Sequence, residues 1–342
     1  MGMAGVFKLW EELLTGVAIM GAGRIAQVHA RGVRLAGQRL EGIFDLRKDA
    51  AERLAAEFGT RSFESAEEAL SSALVEVVCI ATSTDTHADY IVAAAKAGKA
   101  IFCEKPIDLS VSRAVDCQRR IQTTGCFLQL GFNRRFDPTF SKVANAVRTG
   151  KIGRIENLTI TSRDPAPASI EYYKVSGGIF KDMTIHDFDM ARYILPEEPK
   201  EVFAIGSVLV SKEIGAIGDV DSTTVLLRTP SGIQCQIINS RHCVYGFDQR
   251  IEAFGSEGAI IAENPRLDEV RLYTKEATAA GSRLPDFFLE RYTDSYNREW
   301  KDLFGRLAGG RPPAVTFDDG LKALQIAEAA NESLESGTIV QI

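Results

Sequence analysis

Apolar positions along the first 133 residues fall into short continuous runs separated by stretches of helical period. Val17–Met20, Leu40–Phe44, Val75–Ala81, Ala100–Cys103 and Cys126–Gly131 are apolar on both faces, the pattern of strands covered on two sides. Between the runs, segments ending at Leu35 and spanning Ala50–Phe58, Ala66–Ala73 and Ala88–Ala97 repeat at helical spacing, the last closed by Gly98. This alternation predicts a doubly wound parallel sheet ending near residue 133. Beyond a helix over Pro138–Thr149 and a turn at Lys151-Ile152-Gly153, the period shortens to two. Strands are expected at Ile155–Ser162, Glu201–Val210, Ser222–Thr229, Ile233–Ser240, Gln249–Phe254, Ala259–Ala262 and Val270–Tyr273. Ile233, Cys235 and Ile237 alternate with Gln234 and Gln236, so an open, mainly antiparallel sheet with one buried face is predicted. Ser231-Gly232 and Gly255-Ser256-Glu257-Gly258 punctuate it. Helices over Asp286–Leu307 and Phe317–Leu334 flank the break at Arg311-Pro312-Pro313. The expected fold is therefore α/β in two domains, 1–133 and 134–342, the second α+β and its last helix placed to pack back on the first. Residues 1–15 stand as a leader without assigned role.

One predicted helix, Gly177–Leu195, interrupts the strands. Read as a regular α-helix, it puts Asp182, His186, Asp189 and Tyr193 at i, i+4, i+7 and i+11, one line of polar side chains. Ile179, Phe180, Met183, Ile185, Phe188, Met190 and Ile194 fill much of the remaining circumference, so the helix is expected inside the protein. A buried His one turn from a carboxylate is what a general base needs, its ring oriented and its charged form stabilised. A core His held by a structural carboxylate is the competing arrangement, and Asp182 near a helix start also suits the helix dipole.

The first strand ends in Gly21-Ala22-Gly23-Arg24-Ile25-Ala26, a G-x-G-x-x-A turn opening a helix. In that setting Gly21 permits the tight turn, Gly23 lets backbone approach a pyrophosphate, and Ala26 lets helix pack on strand. The second strand runs into Asp45, placed to accept hydrogen bonds from a ribose and to repel a 2′-phosphate. This favours NAD over NADP, although Arg47 is a group that would suit the phosphate. The dinucleotide-binding, Rossmann-type domain is thus expected to bind NAD. Thr82-Ser83-Thr84-Asp85-Thr86-His87 and Glu104-Lys105-Pro106 both follow strand ends, where such sheets hold their ligands. A nucleotide domain followed by an α+β domain is expected to present the reactive end of its cofactor where the two meet. Lys105 would donate to a substrate oxygen there, against the ordinary alternative of a lysine snorkelling from a strand end.

Bulk properties narrow the class. The 342 residues carry a formal net charge of −6, which speaks against a nucleic-acid partner, and 45% hydrophobic with 25% charged composition is that of an ordinary globular chain. No apolar run reaches membrane-spanning length. The N-terminal stretch lacks the apolar core of a secretory signal, and Val6 stands where a myristoylation signal needs Ser or Thr. Six cysteines lie scattered without metal-type spacing, so no metal is expected. Cys79, Cys103 and Cys126 sit in apolar runs, as small buried side chains of a reducing compartment do, and a cytoplasmic location follows.

The GAGRIA turn, the EKP triplet and the D-x-x-x-H helix, in that order, resemble the Gfo/Idh/MocA family of NAD(P)-dependent oxidoreductases over essentially the whole chain after Thr15. ATSTDTHADYI, CEKPIDL, GFNRRFDP, TSRDPAP, residues 176–193, NSRHCVYGFDQRIEAFG and FFLERYTDSY are similar to its inositol 2-dehydrogenase subgroup. The resemblance implies that His186 is the general base, Asp182 its orienting partner and Lys105 the hydrogen-bond donor to the reacting oxygen. It implies cofactor-side roles for Gly21, Gly23, Arg24, Ile25, Asp45, Thr82, Thr86, His87, Glu104 and Gln129. Substrate contacts are implied for Lys105, Asn133, Arg134, Asp164, Asp189 and Tyr292, with Arg163, Asn239, Arg241 and Tyr296 as further polar candidates. Ala26 in place of the last glycine, the long leader, and His242-Cys243 depart from the family pattern. The expected reaction is oxidation of a secondary hydroxyl of a cyclic polyol, myo-inositol or a stereoisomer, to the ketone. An aldose or other sugar is the alternative substrate, and a non-catalytic NAD sensor the alternative class. A homo-oligomer, by resemblance a tetramer, would cover the open sheet face.

Overall fold

The computed structural model describes residues 14–342, and the leader expected over 1–15 lies almost wholly outside them. The chain divides into two compact units: residues up to Phe132 with Tyr296–Leu321, and Asn133–Ser295 with Lys322–Ile342. This differs from the expected single boundary after residue 133. The later segment joins the first unit because Trp300, Leu303 and Phe304 are part of its hydrophobic core, and Leu130 N–H donates to Val315 O at 3.1 Å.

In the first unit the elements run β1 (Gly16–Met20), α1 (Arg24–Leu35), β2 (Arg39–Phe44), α2 (Lys48–Glu57), β3 (Arg61–Ser62), α3 (Ala66–Ser71), β4 (Val77–Ile80), α4 (His87–Lys96), β5 (Ala100–Glu104), α5 (Val111–Ile121) and β6 (Leu128–Gly131). Their sheet has the order β3-β2-β1-β4-β5-β6, every pair parallel, so successive strands are added outward first on one side of β1 and then, from β4, on the other, as in a doubly wound fold. The continuous apolar runs are buried on both faces, as expected: all five residues of β1 and all four of β4 are inaccessible. Helix α5 was not foreseen. Ser110 caps it by accepting from Arg113 N–H, and Ala114, Cys117 and Ile121 form its buried face. Cys126, expected inside, is half-buried because β6 starts two residues later.

The second unit holds α6 (Pro138–Arg148), β7 (Ile155–Arg163), α7 (Ile170–Ser176), a π-helical turn (Phe180–Thr184), α8 (Ile185–Ile194), β8 (Glu201–Ser207), α9 (Lys212–Ala216), β9 (Ser222–Arg228), β10 (Gln234–Ser240), β11 (Asp248–Gly255), β12 (Gly258–Ala262), β13 (Arg271–Leu272) and β14 (Ala280–Gly281). Helices α10 (Phe288–Ala308) and α11 (Phe317–Ser336) each pass from one unit to the other, and β15 (Val340–Gln341) closes the chain. The seven-stranded sheet has the order β12-β11-β7-β10-β9-β8-β15, with β7 and β10 parallel and the other pairs antiparallel. Register aligns Ala204, Val225, Ile237, Ile160 and Ile251 in one row across five strands, none more than 2% exposed. On the other side Ile205, Leu226, Phe254 and Ile261 are about half exposed, so the sheet is one-sided as its alternation predicts.

Three boundaries differ from expectation for local reasons. The strand from Glu201 stops at Ser207 because the Asp221 carboxylate draws the backbone N–H groups of Leu209, Val210 and Ser211 into a turn. Val270–Tyr273 shrinks to β13, which pairs only with β14 in a separate ribbon. The helix expected over Gly177–Leu195 begins as the π turn before becoming α, which rotates Asp182 relative to the regular stripe. Its apolar side chains are nevertheless buried as predicted.

Candidate active site

In the first unit the candidate nucleotide-binding surface is built on the β1–α1 turn. Gly21 adopts φ +107°, and a Cβ there would stand 2.3 Å from Ala81 O, so both conformation and space demand glycine. Gly23 differs: a Cβ would meet nothing within 4 Å, leaving its backbone open to a ligand. It also serves as the N-cap of the 12-residue α1, with no side-chain cap hydrogen bond, so the positive end of the helix dipole stands at the turn. Arg24 is exposed and Ile25 half-buried beside it. At the end of β2 the Asp45 carboxylate accepts from Ala22 N–H at 2.7 Å and from Arg47 N–H at 2.8 Å. Arg47 Nε lies 3.8 Å from the same carboxylate, so this arginine is turned to Asp45. After β4, Thr82 and Thr86 share a hydroxyl hydrogen bond of 2.7 Å. A glycine turn with open backbone, an uncapped helix start and an acidic strand end fit a bound dinucleotide.

Three expected cofactor-side residues, His87, Glu104 and Gln129, are buried. His87 is 1% exposed, with Nδ1 2.8 Å from Pro106 O and Nε2 3.1 Å from Thr82 O, so it ties two loops together. Burial lowers its pKa, although the two carbonyls oppose the shift. Glu104 is buried against His29 at 2.7 Å and accepts from Lys105 N–H at 3.3 Å. Gln129 is fully buried, its Oε1 accepting from Ala314 N–H at 3.2 Å. The family resemblance implied cofactor-side roles for all three; in the fold their side chains bond to other protein groups. Lys105 itself is half-buried at the end of β5, in a turn whose Lys105–Pro106 bond is cis.

The second unit holds a polar cluster on β7, the π turn, α8 and β10. Asp182, half-buried, accepts from Tyr172 OH at 2.6 Å and from Arg241 Nη1 at 3.0 Å. Arg241 is 1% exposed, lies 4.0 Å over the Tyr173 ring and reaches Asp219 at 3.5 Å. His186 sits half-buried at the start of α8. Asp164, half-buried after β7, has its pKa pushed up to about 6 by burial and then by the Asp182 carboxylate, against Arg241 and Arg134. Asn133 is buried, and its Nδ2 has no hydrogen-bond partner among the described residues.

Next to His186 stands Asp187, a residue that helix spacing did not single out. Its fully buried carboxylate accepts from Arg134 Nη1 at 2.6 Å, Ser162 Oγ at 2.6 Å and Asn239 Nδ2 at 2.7 Å, and Asn239 in turn accepts from Thr184 Oγ1. Arg134, expected at the substrate, belongs to this network through its Nη1. Asp189, three residues after His186 in the same α8, pairs with Arg135, which donates to both carboxylate oxygens at 2.9 and 2.6 Å, with the carboxylate 1% exposed. Tyr292 is 2% exposed and donates to Gln249 at 3.3 Å, packed against Phe140 and Phe247. Tyr193, read as packing, lies under the Arg135 and Arg148 guanidinia. The signal that was available is the pair Arg134-Arg135: two acids buried in an apolar helix need two cations. Among the described residues no group of three or more His, Cys, Asp or Glu is placed to hold a metal ion, and no helix is long and apolar enough to cross a membrane.

A glycine turn ending β1, an acidic end to β2 and a sheet of this order define a dinucleotide-binding domain. Comparison with known proteins narrows this further. Residues 15–132 match the oxidoreductase family with an NAD-binding Rossmann fold, and residues 140–261 match the GFO/IDH/MocA C-terminal domain. The chain is 46% identical over 331 residues to the myo-inositol 2-dehydrogenase of Thermotoga maritima, spanning 95% of this chain and 98% of that protein. It is 47% identical over 319 residues to the inositol 2-dehydrogenase of Rhizobium meliloti, spanning 92% and 96%. The crystal structure of scyllo-inositol dehydrogenase from Lactobacillus casei with bound NAD(H) and scyllo-inositol is similar with a TM-score of 0.88 at 26% identity, covering 96% of this chain and 99% of that one. The chain belongs to the GFO/IDH/MocA family and is a dehydrogenase acting on CH–OH groups.

Proposed function

We propose that this enzyme oxidises one secondary hydroxyl of an inositol to the ketone, with NAD as hydride acceptor. The observation that supports the substrate class is the charged cluster of Asp164, Asp182, Tyr172 and Arg241, whose carboxylates, phenol and guanidinium suit a ligand with a hydroxyl on every carbon. Relatives named inositol 2-dehydrogenase over nearly the whole chain support the same reading. Gly21, Gly23, Arg24, Ile25, Asp45, Thr82 and Thr86 would hold the dinucleotide. Asp45 supports NAD over NADP, because a 2′-phosphate would meet its carboxylate, and Arg47 is engaged with that carboxylate.

Bound NAD supplies the hydride acceptor. His186 takes the hydroxyl proton as the C–H bond is broken, and Asp182, anchored by Tyr172 and Arg241, orients it. Lys105 donates a hydrogen bond to the oxygen as it gains alkoxide character. Asn133 and Asp164 contact neighbouring hydroxyls. The unpaired state of all six cysteines supports a reducing, cytoplasmic setting. The exposed apolar side chains of the open sheet face support a homo-oligomer, for which a tetramer is the expected form.

The test incubates purified protein with NAD and a panel of inositol isomers and aldoses, following nicotinamide absorbance. Turnover of at least one inositol is expected, falling by about 10²–10⁴ in His186→Ala while NAD affinity is kept. Turnover of an aldose alone, or an unchanged rate in that variant, would overturn substrate or base respectively.

A further inference from the structure

Behind Lys105 lies a directed chain of hydrogen bonds that the proposed mechanism leaves unused. His29 on α1 and Trp300 on α10 are both 0% exposed. Trp300 Nε1 donates to His29 Nδ1 at 3.1 Å, and His29 Nε2 lies 2.7 Å from Glu104 Oε1. An indole N–H only donates, so Nδ1 must carry the lone pair and Nε2 the hydrogen. The tautomer is therefore set by Trp300, and donation runs in one direction, from Trp300 to His29 to Glu104. The other Glu104 oxygen accepts the backbone N–H of Lys105 at 3.3 Å.

Packing holds this chain in place. The indole stacks on Phe102 at 4.9 Å and on Phe304 at 5.4 Å, both at 25°. A Cβ at Gly32 would fall 2.4 Å from Trp300 Cδ1, so α1 carries glycine where the indole presses on it. A Cβ at Gly131 would stand 3.1 Å from Glu104, so β6 closes on the carboxylate from the other side. An apolar trio would fill the same space without burying a carboxylate, which makes core stability a poor account of these groups.

We propose that Trp300 and His29 are positioning residues for Lys105: they fix the rotamer of Glu104, which fixes the backbone from which Lys105 reaches the reacting oxygen. This rests on the catalytic role given to Lys105 above. Three variants test it: Trp300→Phe, which keeps the stacking and removes only the donor; His29→Leu, which removes both bonds; and His29→Gln, whose amide Nε2 can replace the imidazole donor to Glu104. Steady-state kinetics with NAD and an inositol turned over by the wild type are measured beside NAD affinity by calorimetry. We expect kcat to fall about 10-fold or more in His29→Leu and about 3-fold or more in Trp300→Phe, with KM and NAD affinity within 2-fold, and His29→Gln to recover most of kcat. Wild-type kcat in Trp300→Phe and in any folded His29→Leu would overturn the proposal alone. So would a loss seen only in NAD affinity or KM. A wild type inactive on every polyol and sugar would overturn the functional reading, and this proposal with it.

Discussion

Replacing Asp187 by Asn keeps the size of the side chain and removes one charge from a site with no access to water. Three donors converge on that carboxylate: Arg134 Nη1 at 2.6 Å, Ser162 Oγ at 2.6 Å and Asn239 Nδ2 at 2.7 Å. An amide offers one oxygen to the three and turns its own N–H groups toward at least one of them. Arg134, 6% exposed, is left as a buried cation without its counter-charge. Removing one partner of a buried pair costs roughly 3–5 kcal/mol. At about 2–4 °C per kcal/mol for a unit of this size, the midpoint should fall by roughly 10 °C. Arg134→Met should be milder, since Ser162 and Asn239 still satisfy Asp187. The double variant should be more stable than Asp187→Asn alone, because no unpaired charge remains. Thermal and urea unfolding of the four proteins, followed by circular dichroism, measures this cycle. A midpoint within about 2 °C of wild type for Asp187→Asn, or losses that simply add in the double variant, would refute the electrostatic account.

The two glycines of the β1–α1 turn should separate folding from binding. Gly21→Ala, with φ +107° and a methyl 2.3 Å from Ala81 O, should lower the melting midpoint sharply. Gly23→Ala should melt like wild type yet bind NAD at least about 10-fold more weakly by calorimetry, since only a ligand occupies the space its methyl would take. Equal affinity would remove the pyrophosphate from that position. Asp164 gives a pH signature: folded protein keeps the proton up to about 6, whereas the unfolded chain releases it near the ordinary aspartate value of 3.8. Its ionisation therefore opposes folding as pH rises between these values, and the penalty is constant above them. Asp164→Asn should gain stability relative to wild type across that window in urea titrations, and parallel curves from pH 4 to 7 would contradict the buried, carboxylate-crowded setting.

Much of the fold is legible in the sequence because it rests on local periodicity. Runs such as Val77–Ile80 are apolar on both faces only if both are covered, and Cys235 and Ile237 against Gln234 and Gln236 state which face of β10 is inside. The glycine turn is legible for a similar reason, since its requirements are met within six residues. Partner choice among buried charges is not local. Arg134 and Asp187 are 53 residues apart, and nothing in their spacing says that they meet while Arg135 takes Asp189. The π turn is equally silent, because one residue added to a helical turn leaves no mark on composition and moves every later side chain around the axis. The return of Trp300 to the first core is likewise set by the fold, since an amphipathic helix does not name the surface on which its apolar face lies.

The two side chains proposed to touch the reacting oxygen share a local design. Lys105 follows Glu104, and His186 precedes Asp187; in each pair the carboxylate is buried and bonded while its neighbour is less buried. Consecutive residues on a strand point to opposite faces, and on a helix they are turned by about 100°. Anchoring the carboxylate therefore sets the direction of the neighbour through the backbone. Such anchors are poor investments for stability, because desolvating a carboxylate offsets most of what its hydrogen bonds contribute. Their effect lies in precision, since misplacing a catalytic group by about 1 Å costs on the order of 10² in rate. Variants at Glu104 and Asp187 should then depress turnover per folded molecule by more than their distance from the hydroxyl would suggest, and it is through His29, Trp300, Ser162 and Asn239 that the fold holds them there.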